Sequence, residues 1–268
     1  MERTNELTAW EKIQLARHPA RPKAVDFITE LFPDFIELHG DRCFYDDAAL
    51  LCGLATYRGI PVTVLAQSKG KNLDENMKCN FGMMHPEGYR KAMRLAKQAE
   101  KFHRPIVTFV DTAGAYPGIG AEERGQAQAI AECLKLFSGL EVPTICFVLS
   151  EGGSGGALAL SVADRIYMFE NAIYSILSPE GFASILWKDE TRAAEAGEVM
   201  KCTAHDLLKE RIIDGIMAEP ESGLQSCPHV GVAEMRMVLD KELTVLIQKK
   251  KSVLLEERYQ KFRKIGAL

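Results

Sequence analysis

Two glycine-rich stretches carry the residues best suited to chemistry. Asp111-Thr-Ala-Gly-Ala-Tyr-Pro-Gly-Ile-Gly120 follows the apolar run 106–110, and Glu151-Gly-Gly-Ser-Gly-Gly156 follows the apolar run 144–149. Glycine reaches positive φ without strain and, lacking a Cβ, lets a ligand approach the backbone. A helix that starts at Ser154 or Gly155 leaves its first N–H groups unpaired and pointing outward. With the positive end of the helix dipole behind them, two such donors suit a developing oxyanion. In open parallel sheets, ligands collect at the carboxyl ends of the strands, where both stretches would lie.

A rival chemistry sits in the same residues. Gly152-Gly-Ser154-Gly-Gly156 fits G-x-S-x-G, the spacing of a hydrolase nucleophile elbow. Such an enzyme needs an acid and then a histidine downstream. Asp164, Asp189, Asp206, Asp214, His205 and His229 are available, so composition does not exclude a triad. A third reading leaves the glycines a packing role only. Elsewhere, Lys69-Gly-Lys71 is a candidate phosphate contact, because glycine beside lysine permits close approach. Cys227-Pro-His229 offers two ligand types, short of a closed tetrahedral metal site, and no metal is assigned. Glu151 and Glu180 are candidate acids or bases with no visible partner to tune them.

Elements must hold these residues. Segments 8–17 and 23–31 read as helices. Residues 50–57 and 61–67 read as paired strands turning at Arg58-Gly59. Residues 68–86 form a long polar connection. Then helix 87–102, strand 106–110, helix 122–137, strand 144–149, a short helix 155–162 and strand 165–169 alternate. Continuous apolar strands imply burial on both faces, hence an α/β fold with a parallel sheet covered by helices. Helix 87–102 sets Arg90, Arg94, Lys97 and Lys101 opposite Ala92, Met93, Ala96 and Ala99, which reads as a solvated basic face over a core. Segments 232–246 and 249–264 form a helical tail, either docked on a partner or solvated. No fixed-length repeat or low-complexity tract occurs.

Bulk properties narrow the class. The 268 residues are 47% hydrophobic and 26% charged, with a net charge of −4. That is ordinary globular composition with no global attraction to nucleic acid or anionic membranes. The polar N-terminus lacks a signal core, and no run approaches the length of a membrane span. Seven cysteines, an odd number without C-x-x-C, read as reduced thiols of a cytoplasmic protein.

The stretches FGMMHPEGYRKAMRLAKQAEKF, DTAGAYPGIGAEERGQAQAIAE, EGGSGGALAL and SPEGFASILWK resemble the alpha subunits of bacterial acetyl-CoA carboxylase carboxyltransferase. The resemblance starts near Trp10 with KIQLARHP and runs to about residues 213–220, weakening in the tail. The family usually has proline where Ala113 stands, and this chain looks short at its N-terminus beside it. The resemblance implies a crotonase-like (ClpP/crotonase) superhelix of repeated β-β-α units with helical extensions at both ends. On that basis residues 1–45 are an N-terminal helical segment, 46–220 the carboxyltransferase core and 221–268 a C-terminal helical region, one functional domain overall.

It also implies a function. An alpha2-beta2 heterotetramer with the beta subunit would move a carboxyl group from carboxybiotin, borne by the biotin carboxyl carrier protein, to acetyl-CoA. The malonyl-CoA made serves fatty acid biosynthesis, and a biotin carboxylase charges the carrier with ATP. By the same resemblance, Gly155 and Gly156 supply the catalytic N–H groups. Gly114, Ala115, Tyr116, Gly118, Gly152 and Gly153 line the substrate, with Lys69 and Lys71 as further contacts. Tyr116 has an equal claim as a core aromatic. Ser154 becomes a spacer shaping the turn, against the alternatives of a serine hydrolase or a non-catalytic crotonase-fold scaffold. Zinc is expected only on beta. Met200-Lys201-Cys202 superficially resembles the biotinylated motif of carriers but sits among helix formers, so no biotin attachment is expected here.

Overall fold

The computed structural model describes residues 7–267. The chain opens with helices α1 (Ala9–Ala16) and α2 (Ala24–Leu31), followed by strand β1 (Ile36–Glu37). Thr8 starts α1 with a reciprocal capping box, its side chain accepting from Glu11 N–H while the Glu11 carboxylate accepts from Thr8 N–H. β2 (Leu50–Tyr57) and β3 (Ile60–Gln67) form the expected hairpin. Arg58 and Gly59 both take positive φ (47° and 82°), as a two-residue hairpin turn of the right twist requires. The long connection that follows holds α3 (Leu73–Lys78) and a single 3-10 turn, Asn80–Gly82, before α4 (Pro86–Lys101).

From there the alternation runs β4 (Ile106–Thr112), α5 (Ile119–Glu123), α6 (Gln126–Gly139), β5 (Thr144–Gly153), α7 (Ser154–Ser161), β6 (Arg165–Phe169) and β7 (Ile173–Ser175). The helix expected over 122–137 is two helices, because Gly125 takes a left-handed conformation (φ 82°) at their junction. Then come α8 (Pro179–Trp187), α9 (Ala193–Met200), α10 (Ala204–Lys209), β8 (Gly215–Met217), α11 (Pro228–Leu246) and α12 (Lys251–Lys264). The sheet order is β1-β2-β3-β4-β5-β6-β8, with β7 beside the far end of β5. β1 to β3 are antiparallel, and every pairing from β3 to β8 is parallel.

β4 is buried at every residue, so helices cover both faces. α4, α6 and α7 pack against one another on one side. On the other, Phe27 of α2 meets Phe169 of β6 with ring centroids 5.6 Å apart, and Tyr57 of β2 donates to Asp240 of α11 at 2.8 Å. Ala92, Met93, Ala96 and Ala99 of α4 are buried as expected, but its basic side is less free than a solvated face. Arg90 binds Asp41 and Glu87, and Arg94 donates to the Gly40 and His39 carbonyls. One apolar core contains Phe27 and Leu31, Val64 and Phe109, and Leu239 and Leu254. The stretches 1–45, 46–220 and 221–268 therefore share it.

The tail docks on the core along one side, at Leu254 and Arg258, while most of α12 is exposed. Arg258 of α12 is 1% exposed, and its donors are all used. Nε and Nη2 reach Asp164 at 2.9 Å, Nη1 reaches the Phe137 and Leu140 carbonyls, and Nη2 also reaches that of Val142. Sequence placed a charged helix there but not the buried carboxylate, 94 residues away, that receives it.

Removing one partner of a buried ion pair strands the other, at a cost of about 3–5 kcal/mol. Arg258→Ala is expected to lower the unfolding free energy by that amount in a single transition, measured by urea denaturation. A tail independent of the core would leave the midpoint unchanged.

Candidate active site

β4 and β5 run parallel and in register up to Val110–Val148, then slip, so that Thr112 pairs with Gly152. Beyond the slip the two glycine turns touch backbone to backbone. A Cβ on Gly153 would fall 2.0 Å from the Ala113 carbonyl oxygen, and one on Gly156 would fall 2.5 Å from Ala115 N. A Cβ on Gly152 would enter the Tyr174 ring at 2.5 Å. Glycine at 152, 153 and 156 is thus demanded by packing. The second turn is shorter than its glycine run because residues 151–153 are strand, held by β7.

Gly155 differs. A Cβ there would meet only the Ile130 side chain at an ordinary 3.6 Å. Protein packing does not require glycine at this position, and the space beside it opens into a cleft of about 460 Å³. Leu158, Tyr174, Ile176 and Phe182 give that cleft apolar walls, Ser154 and Gly155 its floor, and Lys201 its only charged side chain. Neither the Gly155 nor the Gly156 N–H donates to a side chain or to a loop carbonyl. Both lie in the first turn of α7, where no preceding helical carbonyl exists to receive them. Gln67 of β3 clamps that turn by donating to the Gly156 carbonyl at 2.8 Å, and Thr108 of β4 donates to Leu160 O further along.

Ser154 takes φ 56°, a left-handed value that turns the chain from β5 into α7. Its hydroxyl has no hydrogen bond to a histidine among the described residues. His205 faces Lys12 at 3.4 Å, and His229 lies against Cys227. The triad that composition allowed is not assembled.

Other expected site residues take different places. Gly152 and Gly153 border a void of about 30 Å³, room for one water rather than a substrate. Gly114 and Ala115 buttress Gly156. Tyr116 packs on His85 (centroids 4.2 Å) and over Gly118, where a Cβ would strike its ring at 2.3 Å. None of Gly114, Ala115, Tyr116 and Gly118 lines the cleft. The lysines expected at phosphate, Lys69 and Lys71, both have carboxylate partners within this chain. Lys71 pairs with Asp26 beside a separate cleft between α2 and α11, and Lys69 is consumed by two carboxylates.

Those carboxylates open the two glycine turns. Lys69 Nζ lies 2.9 Å from Asp111 and 2.7 Å from Glu151, with its side chain 13% exposed. Glu151 also accepts from Arg17 Nε at 2.7 Å, and Arg17 Nη1 donates to Glu180 at 2.7 Å. Ser150 donates to Asp111. Burial alone would raise the Glu151 carboxyl, but the charges of Lys69 and Arg17 prevail and bring it down to about 2. Burial likewise opposes ionisation of Glu180, and Arg17 lowers it below the usual carboxylate range. Both acids stay ionised at neutral pH and cannot serve as general acids there. Sequence analysis singled out both glutamates but missed Arg17, Asp111 and Ser150 as their company. The available signal was an acid closing each apolar strand, Asp111 and Glu151.

A carboxyl lowered on folding stabilises the native state above its unfolded pKa, and that stability is lost as pH falls through the folded value. For Glu151 the window runs from about pH 4.5 to about 2 and is worth on the order of 3 kcal/mol. Unfolding free energy measured against pH should fall more steeply through that window in the native chain than in Glu151→Gln. Parallel acid limbs would contradict the assignment.

The family described as acetyl co-enzyme A carboxylase carboxyltransferase-like matches residues 1–266, so the likeness extends through α11 and α12 rather than fading at residue 220. The acetyl-coenzyme A carboxylase carboxyl transferase subunit alpha of Shouchella clausii is 56% identical over 262 residues, covering 98% of this chain and 81% of the relative. That of Clostridium acetobutylicum is 53% identical over 266 residues, covering 99% and 97%. Among solved structures, a Pseudomonas malonate decarboxylase hetero-tetramer in complex with coenzyme A superposes with a TM-score of 0.67 at 16% identity, covering 92% of each chain. The transcarboxylase 12S core gives 0.66 at 21% identity over 82% of this chain, which spans 41% of that one. These structural likenesses carry the fold, which is crotonase-like α/β. The chain belongs to the acetyl-CoA carboxylase carboxyltransferase family.

Proposed function

We propose that this chain is the alpha subunit of an acetyl-CoA carboxylase carboxyltransferase. It moves a carboxyl group from carboxybiotin to acetyl-CoA, in the cytoplasm and together with a beta subunit. Supporting this reading is Gly155, a glycine that no neighbouring atom requires, facing a cleft beside two unpaired backbone donors. Carboxybiotin arrives on its carrier protein. Its N–carboxylate bond breaks, carbon dioxide leaves, and the electron pair spreads onto the ureido oxygen. The N–H groups of Gly155 and Gly156 bind that oxygen and lower the barrier. The freed biotin nitrogen then takes a proton from the acetyl methyl group, and the enolate carbon joins the carbon dioxide to give malonyl-CoA. Acetyl-CoA and its enolate are held by the beta subunit in the alpha2-beta2 assembly, so alpha alone has little activity.

The four glycines separate this reading from its rivals. Gly155→Ala meets no protein atom closer than 3.6 Å, so folding is preserved while a methyl enters the ligand's space. Reconstituted with the beta subunit, carboxybiotin carrier and acetyl-CoA, it should form malonyl-CoA about 100- to 1,000-fold more slowly, as when an oxyanion donor is lost. Gly156→Ala should lose stability, since its methyl lands 2.5 Å from Ala115 N. Ser154→Ala should retain the rate. Malonyl-CoA formation undiminished in Gly155→Ala would refute the cradle, and a rate abolished in Ser154→Ala would restore the hydrolase.

A further inference from the structure

We propose that Lys69 is a positioning residue for the carboxyl-transfer site. Its ammonium binds the carboxylates that open both glycine turns, and so sets the spacing and the electrical neutrality of the amide cradle. The inference rests on the function proposed above.

Asp111 is the next-to-last residue of β4, and Glu151 lies two residues before the end of β5. Their side chains are 1% and 14% exposed, and both carboxylates reach the same ammonium. Adjacent buried carboxylates repel, and a cation between them turns repulsion into a bridge. The bridge joins the two strands two residues before Ala113 and Gly153, whose backbones touch, and so bears on how closely the turns approach. It also governs the local potential. An anion forming at the Gly155 and Gly156 N–H groups is opposed by any nearby uncompensated carboxylate.

The two acids are not equally insured. Glu151 has a second cation, Arg17, which continues through Glu180 into α8, the helix that carries Phe182 to the cleft wall. Among the described residues Asp111 has no other cation in contact. Around it stand Lys69, Ser150 and Glu151, with Lys23 at the start of α2 acting only through space, and Arg21 beyond Lys23. One oxygen of Asp111 has no hydrogen-bond partner at all. Loss of Lys69 therefore strands Asp111 in particular.

The test compares Lys69→Met with Lys69→Met/Asp111→Asn, each in the full chain reconstituted with its beta subunit. Turnover of Lys69→Met is expected to fall about 100-fold at about pH 8, the loss typical of a displaced catalytic group, with the KM for acetyl-CoA within about twofold. The double variant carries no stranded charge, since Glu151 keeps Arg17. It should return to within about tenfold of the native rate.

A readout without turnover runs beside it. Lys69→Met should lower the melting temperature by about 5 °C, and the double variant should regain most of that loss. Near-native turnover of Lys69→Met would overturn the inference. So would a folded double variant no more active than the single one. Should Lys69→Met fail to fold, the double variant decides alone: turnover within about tenfold of the native rate supports the inference, and an inactive folded double variant overturns it. A native complex that makes no malonyl-CoA would instead refute the proposed function, and the melting series would still judge the bridge.

Discussion

The site depends on the contact of two polypeptide backbones with no side chain between them. Gly153 lies against the Ala113 carbonyl and Gly156 against Ala115 N, at distances that leave no room for a Cβ. That contact requires the slip between β4 and β5, which carries Gly152 up to Thr112. The slip in turn needs β7, which pairs with residues 151–153 and keeps β5 extended past the end of β6. Only then does α7 begin at Ser154, with Ser154 and Gly155 on the border of the cleft. A larger residue at 153 or 156 would push the turns apart and move the donors with them.

Charge holds this arrangement where apolar packing cannot. The carboxyl ends of β4 and β5 present two acids, Asp111 and Glu151, which apolar side chains cannot bridge. Arginines and a lysine bridge them from the side. Arg17 in the turn after α1 binds Glu151 and Glu180, Lys69 binds Asp111 and Glu151, and Arg21 binds the Leu149 carbonyl together with Glu219. At the opposite edge of the sheet Arg258 does the same for three carbonyls and Asp164. Each cation comes from a segment outside the central strands, so the terminal helices are fastened to the sheet by charge as well as by apolar contact. Burying such pairs costs desolvation that their attraction repays only in good geometry. Their value is that they admit one arrangement of strand ends.

What sequence reveals here follows the range of the interaction. The hairpin at Arg58-Gly59 and the buried runs of β4, β5 and β6 were legible, because strand propensity and burial are written in consecutive residues. The family's motifs singled out the glycine turns as the candidate site. The true end of β5 was not legible, because the strand that extends it lies some twenty residues on and is itself three residues long. Lys69 read as a free cation beside a glycine, since its partners are 42 and 82 residues away in the chain. Arg258 read as one charge among many in a polar tail for the same reason. The four glycines at 152, 153, 155 and 156 were indistinguishable as letters. Three fill space against protein and one borders emptiness, a difference set by neighbours from β4, β7 and α6.

Ser154 shows how such a turn is made rigid. It stands at φ 56°, where a side chain costs roughly 1–2 kcal/mol and glycine would cost nothing. Glycines on both sides leave the backbone much freedom in the unfolded chain, which must be removed on folding. A Cβ at the centre of the run narrows that freedom to a few conformers, of which the folded sheet accepts one. The strain is local, and what it secures is the direction of the next two N–H groups. Donors fixed in this way need no reorganisation when charge develops in front of them, whereas a serine or lysine side chain would have to be ordered first. In the proposed function the exposed hydroxyl of the G-x-S-x-G run is incidental, and the conformation that Ser154 imposes on the backbone is its contribution.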